Sequence, residues 1–369
     1  MKIIVRGSKA RLYTVAIFLA IFGISACSTA EQAPEIFTAA VWNVQAIFDG
    51  FEVGNEFRDY SEAAGWTSEK YMARITAISQ AVLQMAEEKN PPELIGFNEI
   101  ENAAVLADLA QGSLAKYGYN WAAFATLPGA PIGLGFLSRF PFEDVRAHSI
   151  TVEKGTAPRP VLEVRLNPRG EPLVFLLCHW KSKLGNDTEI LRRASARVVQ
   201  RRLRELRESE PGTPVIVMGD LNENHDEFFR NGGKALSFYA LLSAGSDVLE
   251  AAAKHPAKER DFLILSAEKP PHSPIEDIPA LYSPWEDMRL GAELQGGSYY
   301  FRGGWETIDH MLLSDGLFNG TGWDFADFRV LNHEPFVTSD GTPNSYIPRN
   351  GRGLSDHLPL LVCFRFAQM

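Results

Sequence analysis

Short apolar runs that end in polar residues recur along this chain. Residues 214–222 form one of them, in which a β-branched segment leads through Gly219 to Asp220 and Asn222. A run of this length, bounded by Pro and Gly, is consistent with a buried β-strand. Similar runs at residues 37–43, 94–99 and 173–179 end in Asn43, Glu99 and His179. If these strands are parallel, their carboxyl ends share one edge of a sheet and bring the polar residues together.

Two further polar pairs come directly before apolar runs. Asp309 and His310 precede residues 311–313, and Asp356 and His357 precede residues 358–364. An antiparallel strand begins at the edge where its parallel neighbours end. A mixed sheet would therefore place these pairs beside the others.

Apolar periodicity predicts helices between the strands. Tyr71, Ile75, Ile78, Val82 and Met85 recur at intervals of three and four residues, after a cap at Thr67 or Ser68. A second helix begins at Asn102. Residues 186–210 form a third, whose interleaved Arg and Glu favour a solvated helix with internal ion pairs over a nucleic-acid surface. Strands that alternate with helices indicate an α/β protein.

The N-terminus has the pattern of an export signal. Basic residues precede an apolar segment at residues 15–24, which is too short for a confident transmembrane helix, and small residues then precede Cys27. This resembles a bacterial lipobox, so residues 1–26 are expected to be a signal peptide that is cleaved before Cys27. Lipid on Cys27 would anchor an exported protein at a membrane, on the periplasmic or cell-surface side. An ordinary signal peptide or a short anchor helix is the alternative.

The remaining chain is expected to hold a tether at residues 27–36 and one large α/β domain at residues 37–369. Residues 224–298 lack clear periodicity and include proline-rich segments, so we expect an excursion on the substrate side of the site. Cys178 and Cys363 lie in apolar runs, which favours two buried thiols over a disulfide.

The charge balance restricts the possible partners only in part. The chain has 36 Lys and Arg against 46 Asp and Glu, a formal net charge of −10. Such a surface has no general attraction for the phosphate backbone of nucleic acids. A bound metal ion or a local basic groove could still recruit phosphate, so a nuclease is not excluded.

The types of residue at the predicted edge suit phosphoester chemistry. A carboxylate beside amides and other carboxylates matches the oxygen ligands that Mg²⁺ prefers, and Glu99 is the first choice for such a ligand. Two histidines can contact phosphate or transfer protons, and an adjacent Asp fixes the tautomer of a His. Each residue alone is more often structural, but the recurrence at strand ends favours a site.

These clusters form motifs that occur in order along the chain and together resemble the endonuclease/exonuclease/phosphatase superfamily. The motifs are Trp42-Asn43-Val44, Asn98-Glu99-Ile100-Glu101, His179-Trp180-Lys181-Ser182-Lys183, Gly219-Asp220-Leu221-Asn222-Glu223, Ile308-Asp309-His310 and Ser355-Asp356-His357. The resemblance implies a four-layer α/β sandwich, with two mixed β-sheets packed face to face and helices outside.

The resemblance also implies a role for each edge residue. Asn43 and Glu99 would bind the metal, Mg²⁺ or Mn²⁺, with Asp356 close by. Asp220 and Asn222 would position the attacking water and the scissile phosphate.

The histidines and the basic residues complete the implied site. His179 and His357 would hold phosphate oxygens or move protons, with Asp309 orienting His357. Arg159 matches an arginine that contacts phosphate in the family, and Lys181 and Lys183 either extend that contact or lie on the surface. Many relatives carry an acidic residue near the position of Gly133, and its absence leaves open which group supports His179.

We therefore expect a metal-dependent phosphodiesterase in which water attacks a phosphate ester in line. A nuclease outside the cytoplasm is the favoured interpretation, with nucleic acid or another phosphodiester as substrate and no protein partner. A sphingomyelinase-type phospholipase is an alternative, although no long exposed aromatic hairpin is evident. A non-catalytic envelope protein that binds phosphorylated ligands is the other alternative.

Overall fold

The structure is a computed structural model that describes residues 16–21, 35–86, 90–153, 155–186, 188–230, 232, 238–241, 262–273, 278–287 and 296–367. Its helices are α1 (Ser68–Val82), α2 (Ala103–Gln111), α3 (Thr188–Ser209) and the short α4 (Glu227–Arg230). No helix in these ranges is both long and apolar enough to cross a bilayer. Cys27 and the residues just before and after it lie outside the described residues.

The described residues form two large mixed sheets. The first sheet has the order β1 (Ala16–Ile21), β4 (Trp121–Thr126), β5 (Gly133–Ser138), β3 (Leu94–Ile100), β2 (Ile36–Ile47), β17 (Leu360–Ala367) and β16 (Gly322–Val330). Strands β2 and β3 are parallel and the other neighbours are antiparallel. Strand β1 falls in the segment predicted as the core of the signal peptide.

The second sheet has the order β10 (Phe238–Leu241), β11 (Leu263–Ser266), β12 (Ala280–Tyr282), β15 (Asp309–Leu313), β9 (Val215–Asp220), β8 (Leu173–His179), β7 (Val161–Leu166) and β6 (Asp144–His148). Strands β8 and β9 are parallel, and β15 runs antiparallel to β9. A separate hairpin pairs β13 (Tyr299–Phe301) with β14 (Gly304–Glu306).

Alternate residues of β8 and β9 serve two different cores, as the two-residue period of a strand requires. Phe175, Leu177 and Met218 pack between the two sheets. Leu176 and Val217 face the other way and pack with Leu203, Leu206 and other buried residues of α3. The apolar stripe predicted for α1 is buried with the first sheet, and α2 packs beside it, with Asn102 as its cap. The layers are therefore helix, sheet, sheet and helix, which confirms the predicted sandwich.

Helix α3 differs in part from the predicted solvated helix. Arg201 pairs with Glu205 within the helix, as expected, but Arg202 forms two hydrogen bonds to Glu163 on β7. Arg192 is buried and pairs with Glu223. The ion pairs therefore attach the helix to the sheet as well as lining its surface.

The described parts of residues 224–298 extend the second sheet through β10, β11 and β12. The rest of the predicted excursion lies outside the described residues. Cys178 and Cys363 lie in different sheets and are not joined to each other by a disulfide. Cys178 is buried as predicted, whereas Cys363 is only half-buried, because it lies on the face of β17 opposite to the buried Val362 and Phe364.

Candidate active site

One cavity of about 300 Å³ lies where the two sheets meet at their ends. The carboxyl ends of β2 and β3 face those of β8 and β9, and β15 and the chain before β17 begin there. The lining side chains include Asn43, Gln45, Glu99, His179, Lys183, Leu184, Asp220, Asn222, Tyr299, Phe301, Glu306, Asp356 and His357. The structure thus brings seven of the nine predicted site residues to one cavity, with Asp309 and Arg159 directly behind it.

Backbone irregularities aim the acidic side chains at this cavity. Glu99 has a φ of 70° and sits where the pairing of β3 with both neighbours shifts, so a bulge turns its carboxylate out of the sheet. Gly219 has a φ of 131°, and a Cβ atom there would meet Cys178 O at 1.9 Å. Only glycine therefore lets β9 deliver Asp220 at this point.

Asn98 holds the two sheets together beneath the cavity. Its Nδ2 donates to Cys178 O at 2.9 Å, and its Oδ1 accepts from Asp220 N at 3.0 Å. Both bonds are buried, so they fix the ends of β3, β8 and β9 relative to one another. Asn98 had no predicted role, although it directly precedes Glu99 in the motif at the end of β3.

The oxygen-rich end of the cavity is formed by Asn43, Glu99 and Asp220. Asn43 Nδ2 lies 3.3 Å from Glu99 Oε1 and 3.0 Å from Asp220 Oδ2. Burial raises the pKa of Glu99, and the charge of Arg159 offsets only part of this effect. Burial, together with the charge of Asp309, raises the pKa of Asp220 to about 7.

The raised pKa values of Glu99 and Asp220 fit a cation site, because a divalent cation nearby would favour the ionised form of both carboxylates. Glu99 and Asp356 keep 21% and 32% of their side chains exposed, so their oxygens can be reached from the cavity. The donors are oxygens of the kind that Mg²⁺ and Mn²⁺ bind. Glu99 and Asp356 therefore fit the predicted metal ligands. Asn43 turns its Nδ2 towards Glu99 and Asp220, and its Oδ1 accepts from Gln45 N at 3.0 Å, so its amide would have to turn to bind a metal. The ligand assignment stays a prediction.

A tighter cluster of possible ligands lies deeper, where Asp220, Asp309 and His357 have atoms within 4.8 Å of one another. Asp309 Oδ2 already accepts from Ser298 Oγ at 2.7 Å and lies 2.8 Å from His357 Nδ1. Burial would lower the pKa of His357, but Asp309 outweighs burial and raises it to about 10. These contacts already occupy Asp309 Oδ2 and His357 Nδ1, whereas Glu99 and Asp356 face the open cavity. The open end therefore agrees better with the predicted metal site, which stays a prediction.

His179 has a different environment from His357. Its Nε2 lies 3.6 Å from Asp220 Oδ2 and 3.8 Å from Glu99 Oε1. Burial and the charge of Arg159 hold the pKa of His179 well below its usual range, so the imidazole is neutral. Its Nδ1 is buried and has no hydrogen-bond partner among the described residues.

Gly133 stands at the position where the resemblance implies an acidic residue in many relatives. It lies in β5 opposite Ile100, and a Cβ atom there would meet Ala125 O at 2.6 Å. The strand therefore has no room for an acidic side chain at this position, which agrees with the presence of glycine where many relatives carry an acidic residue. Nothing in the described residues replaces the acid beside His179 Nδ1.

The predicted phosphate contacts are arranged around His179. Arg159 Nη1 donates to His179 O at 3.5 Å, so the guanidinium lies behind the cavity. Lys183 lines the cavity, and its Nζ is 2.5 Å from Glu227 Oε2. Lys181 Nζ lies 3.3 Å from Ser182 Oγ. Contact of any of these groups with phosphate stays a prediction.

Asn222 supports Asp220 through the backbone. Its N–H donates to Asp220 Oδ1 at 3.0 Å, and its side chain donates to Trp180 O at 3.2 Å. Asn222 adopts a φ of 52°, which Asn tolerates better than most residues. The turn after β9 therefore holds the Asp220 carboxylate in one orientation.

Three residues that the sequence analysis left without a role complete the site. Ser298 bonds Asp309, and Ser355 Oγ donates to Asn43 O at 2.6 Å, which links β2 to the chain before β17. Tyr299 stacks on His357 with ring centroids 4.4 Å apart. The run of three aromatic residues at 299–301 is the feature of the sequence that could have predicted the stacking of Tyr299 on His357.

Comparisons with known proteins agree with this geometry. Residues 38–237 match the family model described as "Endonuclease/Exonuclease/phosphatase family". The fold is similar to that of truncated TDP2 from Caenorhabditis elegans, at 15% identity and a TM-score of 0.52, covering 91% of this chain and 100% of that one. It is also similar to a humanized TDP2 from D. rerio, at 14% identity and a TM-score of 0.50, covering 90% and 100%.

At these identities the two structures support the fold alone, and no curated protein matches the chain significantly. The family match covers more than half of the chain and includes the strands that carry Asn43, Glu99, His179 and Asp220. The chain therefore belongs to the endonuclease/exonuclease/phosphatase family, whose enzymes are divalent-metal-dependent phosphoesterases.

Proposed function

We propose that this protein is a Mg²⁺-dependent phosphodiesterase that cleaves nucleic acid outside the cytoplasm. One observation carries the chemistry. A single cavity joins the oxygen-rich group of Asn43, Glu99 and Asp220 to the buried Asp309–His357 pair. Hydrolysis of a phosphodiester needs both groups, because negative charge on the phosphate oxygens must be stabilised while the attacking water loses a proton.

The cation would be held by Asn43 and Glu99 with Asp356 nearby, and when bound it supplies Lewis-acid stabilisation of the phosphate oxygens. Asp220 acts as the general base, because burial and the charge of Asp309 raise the pKa of its carboxylate and so increase its affinity for a proton from water. The backbone N–H of Asn222 keeps the carboxylate in place. Protonated His357, held at Nδ1 by Asp309, donates through Nε2 to a phosphate oxygen. As the water oxygen bonds to phosphorus, the P–O bond to the leaving oxygen breaks, and the leaving oxygen takes a proton from solvent.

Hydrolysis assays on residues 28–369 test this proposal. Double- and single-stranded DNA, RNA and sphingomyelin are offered with Mg²⁺, Mn²⁺ or EDTA, beside the Asp220→Ala variant. We expect cleavage of nucleic acid that EDTA and the substitution both abolish. Cleavage of nucleic acid that survives Asp220→Ala contradicts the mechanism, and ligand binding without turnover at saturating Mg²⁺ supports a non-catalytic binder instead.

One observation favours a lipid substrate as the second candidate. Tyr300 and Phe301 on the β13–β14 hairpin are exposed beside the cavity. An anchored enzyme would hold such a hairpin near a bilayer. Each strand of the hairpin has only three residues, however, which is short for insertion into a membrane. Hydrolysis of sphingomyelin alone in the same assays would make this function primary.

The proposed location depends on the N-terminal sequence. Basic residues, a short apolar segment and small residues before Cys27 support export and lipid attachment. The acidic balance of the chain gives it no general attraction for an anionic membrane surface, so lipid on Cys27 would supply the attachment.

A further inference from the structure

A row of aromatic rings leads from the catalytic centre to the mouth of the cavity. Tyr299 lies over His357, with ring planes 27° apart. Phe301, two residues further along β13 and on the same face, is stacked with Tyr299 at 5.9 Å and 15°. Phe301 is 39% exposed and lines the cavity. Its outer part therefore remains open to a ligand that already contacts His357.

The surroundings of Phe301 indicate which kind of group it can bind. Leu184, which is 73% exposed, lies in the wall of the same cavity and adds apolar surface. Lys183 and Glu306, whose charged groups are 3.8 Å apart, line it as well and can bond to polar ring edges. A flat group with a polar edge is therefore accommodated better than a plain hydrocarbon chain.

The charges also argue against a cationic head group such as choline. Aromatic rings attract quaternary ammonium groups when no other cation competes. Here the Arg302 guanidinium already lies 5.0 Å from the Phe301 ring centroid, and Lys183 Nζ, which is 2.5 Å from Glu227 Oε2 and 3.8 Å from Glu306 Oε2, adds a second cation to the cavity wall. A neutral aromatic base is not repelled by Arg302 or Lys183, and it gains stacking energy where it takes the place of Arg302 on the Phe301 ring.

From this arrangement we propose that Phe301 is a specificity-determining residue that stacks on a nucleobase next to the scissile phosphate. The inference rests on the proposed phosphodiesterase function and specifies its substrate as a nucleotide chain whose bases are unpaired at the cavity. Base stacking of this kind contributes about 1–3 kcal/mol per base by alanine substitution. That range corresponds to roughly 5- to 150-fold in affinity.

The test compares single-stranded oligothymidine with an oligomer of the same length in which every base is absent. Both present the same phosphodiester, so the ratio of their kcat/KM values reports the contribution of the base. We expect Phe301→Ala to reduce this ratio by about 10-fold or more, through KM. Phe301→Trp should retain the wild-type ratio, because tryptophan keeps a flat ring. Phe301→Leu should not retain it, because leucine has no ring.

Tyr300→Ala is the matched control. Tyr300 is on the opposite face of β13, packs against Trp305 and does not line the cavity. The Tyr300→Ala substitution loosens the same hairpin but keeps the Phe301 ring. The inference is overturned if Tyr300→Ala and Phe301→Ala reduce the ratio of the two kcat/KM values equally. A ratio near one in the wild-type chain also overturns it. So does faster hydrolysis of p-nitrophenylphosphorylcholine than of oligothymidine.

A binding measurement separates this inference from the proposed function. Fluorescence anisotropy gives the affinity of both labelled oligomers in Mg²⁺ without requiring turnover. Preferred binding of oligothymidine that Phe301→Ala abolishes, together with no hydrolysis, supports base stacking while the phosphodiesterase proposal fails. Hydrolysis of both oligomers with equal affinity and equal rates overturns base stacking and leaves the phosphodiesterase proposal intact.

Discussion

Asp309 Oδ2 lies 2.8 Å from His357 Nδ1, although 48 residues separate them in the chain. Both side chains are almost fully buried, so the carboxylate is screened little by water and raises the pKa of His357 to about 10 against the effect of burial. The pair therefore keeps His357 protonated and correctly turned at neutral pH.

We expect Asp309→Asn to lower the pKa of His357 towards its usual range and to reduce kcat at pH 8 by about 10²- to 10³-fold. The amide retains the shape of the side chain, so the loss should be smaller at low pH, where His357 is protonated again. The pH dependence of kcat measures this change. Asp327→Asn, in an exposed pair with Arg329, is the control and should leave the profile unchanged. A uniform loss at every pH would contradict the electrostatic role.

Glu99→Gln should weaken metal binding and reduce activity by about 10³-fold, because it removes a charged oxygen ligand from the proposed site. Titration of activity with Mg²⁺, and calorimetric titration of the protein without substrate, measure the two effects separately. Glu101→Gln provides a matched control two residues away, since that carboxylate accepts from Asp49 N and does not line the cavity. Unchanged metal affinity in Glu99→Gln would exclude Glu99 as a ligand.

Asp220 is expected to reduce the stability of the metal-free protein at high pH. Its pKa rises from 3.8 to about 7 in the folded chain, first through burial. The folded state therefore binds this proton more tightly than the unfolded state, and stability is lost as the pH increases between these two values. Asp220→Asn removes the titration.

In EDTA the Tm of Asp220→Asn should therefore exceed that of the wild type by a few degrees at pH 8, with a smaller difference near pH 4.5. Activity should be lost at every pH. Thermal unfolding at a series of pH values measures the difference between the two chains. A difference that does not change with pH would show that Asp220 does not have a raised pKa.

Arg192 should contribute strongly to stability because its buried guanidinium has several partners. It pairs with Glu223, donates to Glu189 at 2.8 Å and bonds to Lys181 O at 3.0 Å. We expect Arg192→Ala to lower the free energy of unfolding by about 3 kcal/mol. Arg201→Ala, from a pair more than half exposed on the same helix, should cost no more than about 0.5 kcal/mol in the same urea titrations. Equal costs would contradict this distinction.

Cys27 should carry the lipid anchor. In a bacterial host that is supplied with labelled palmitate, the full chain should incorporate label and sediment with membranes. Cys27→Ser should do neither, because it removes the thiol that receives the lipid. Cys363→Ser keeps Cys27 and should label normally. Labelling of Cys27→Ser would show that Cys27 is not the site of attachment.

Local pattern alone determined much of this protein. Runs of β-branched and apolar residues locate β2, β3, β8 and β9, and the three- and four-residue spacing locates α1, because these periods follow from backbone geometry. The polar residues at strand ends were visible for the same reason. The short strands β10, β11 and β12 were not, since they lie in a region without clear periodicity.

Only the tertiary structure decided how the strand ends combine. Asn43 and Glu99 come from one sheet, whereas His179 and Asp220 come from the other, and Asn98 joins the two across the core. The opposite protonation preferences of His179 and His357 also depend on their neighbours in space. Burial and the distance to a charge set a pKa, and neither can be read from the order of residues along the chain.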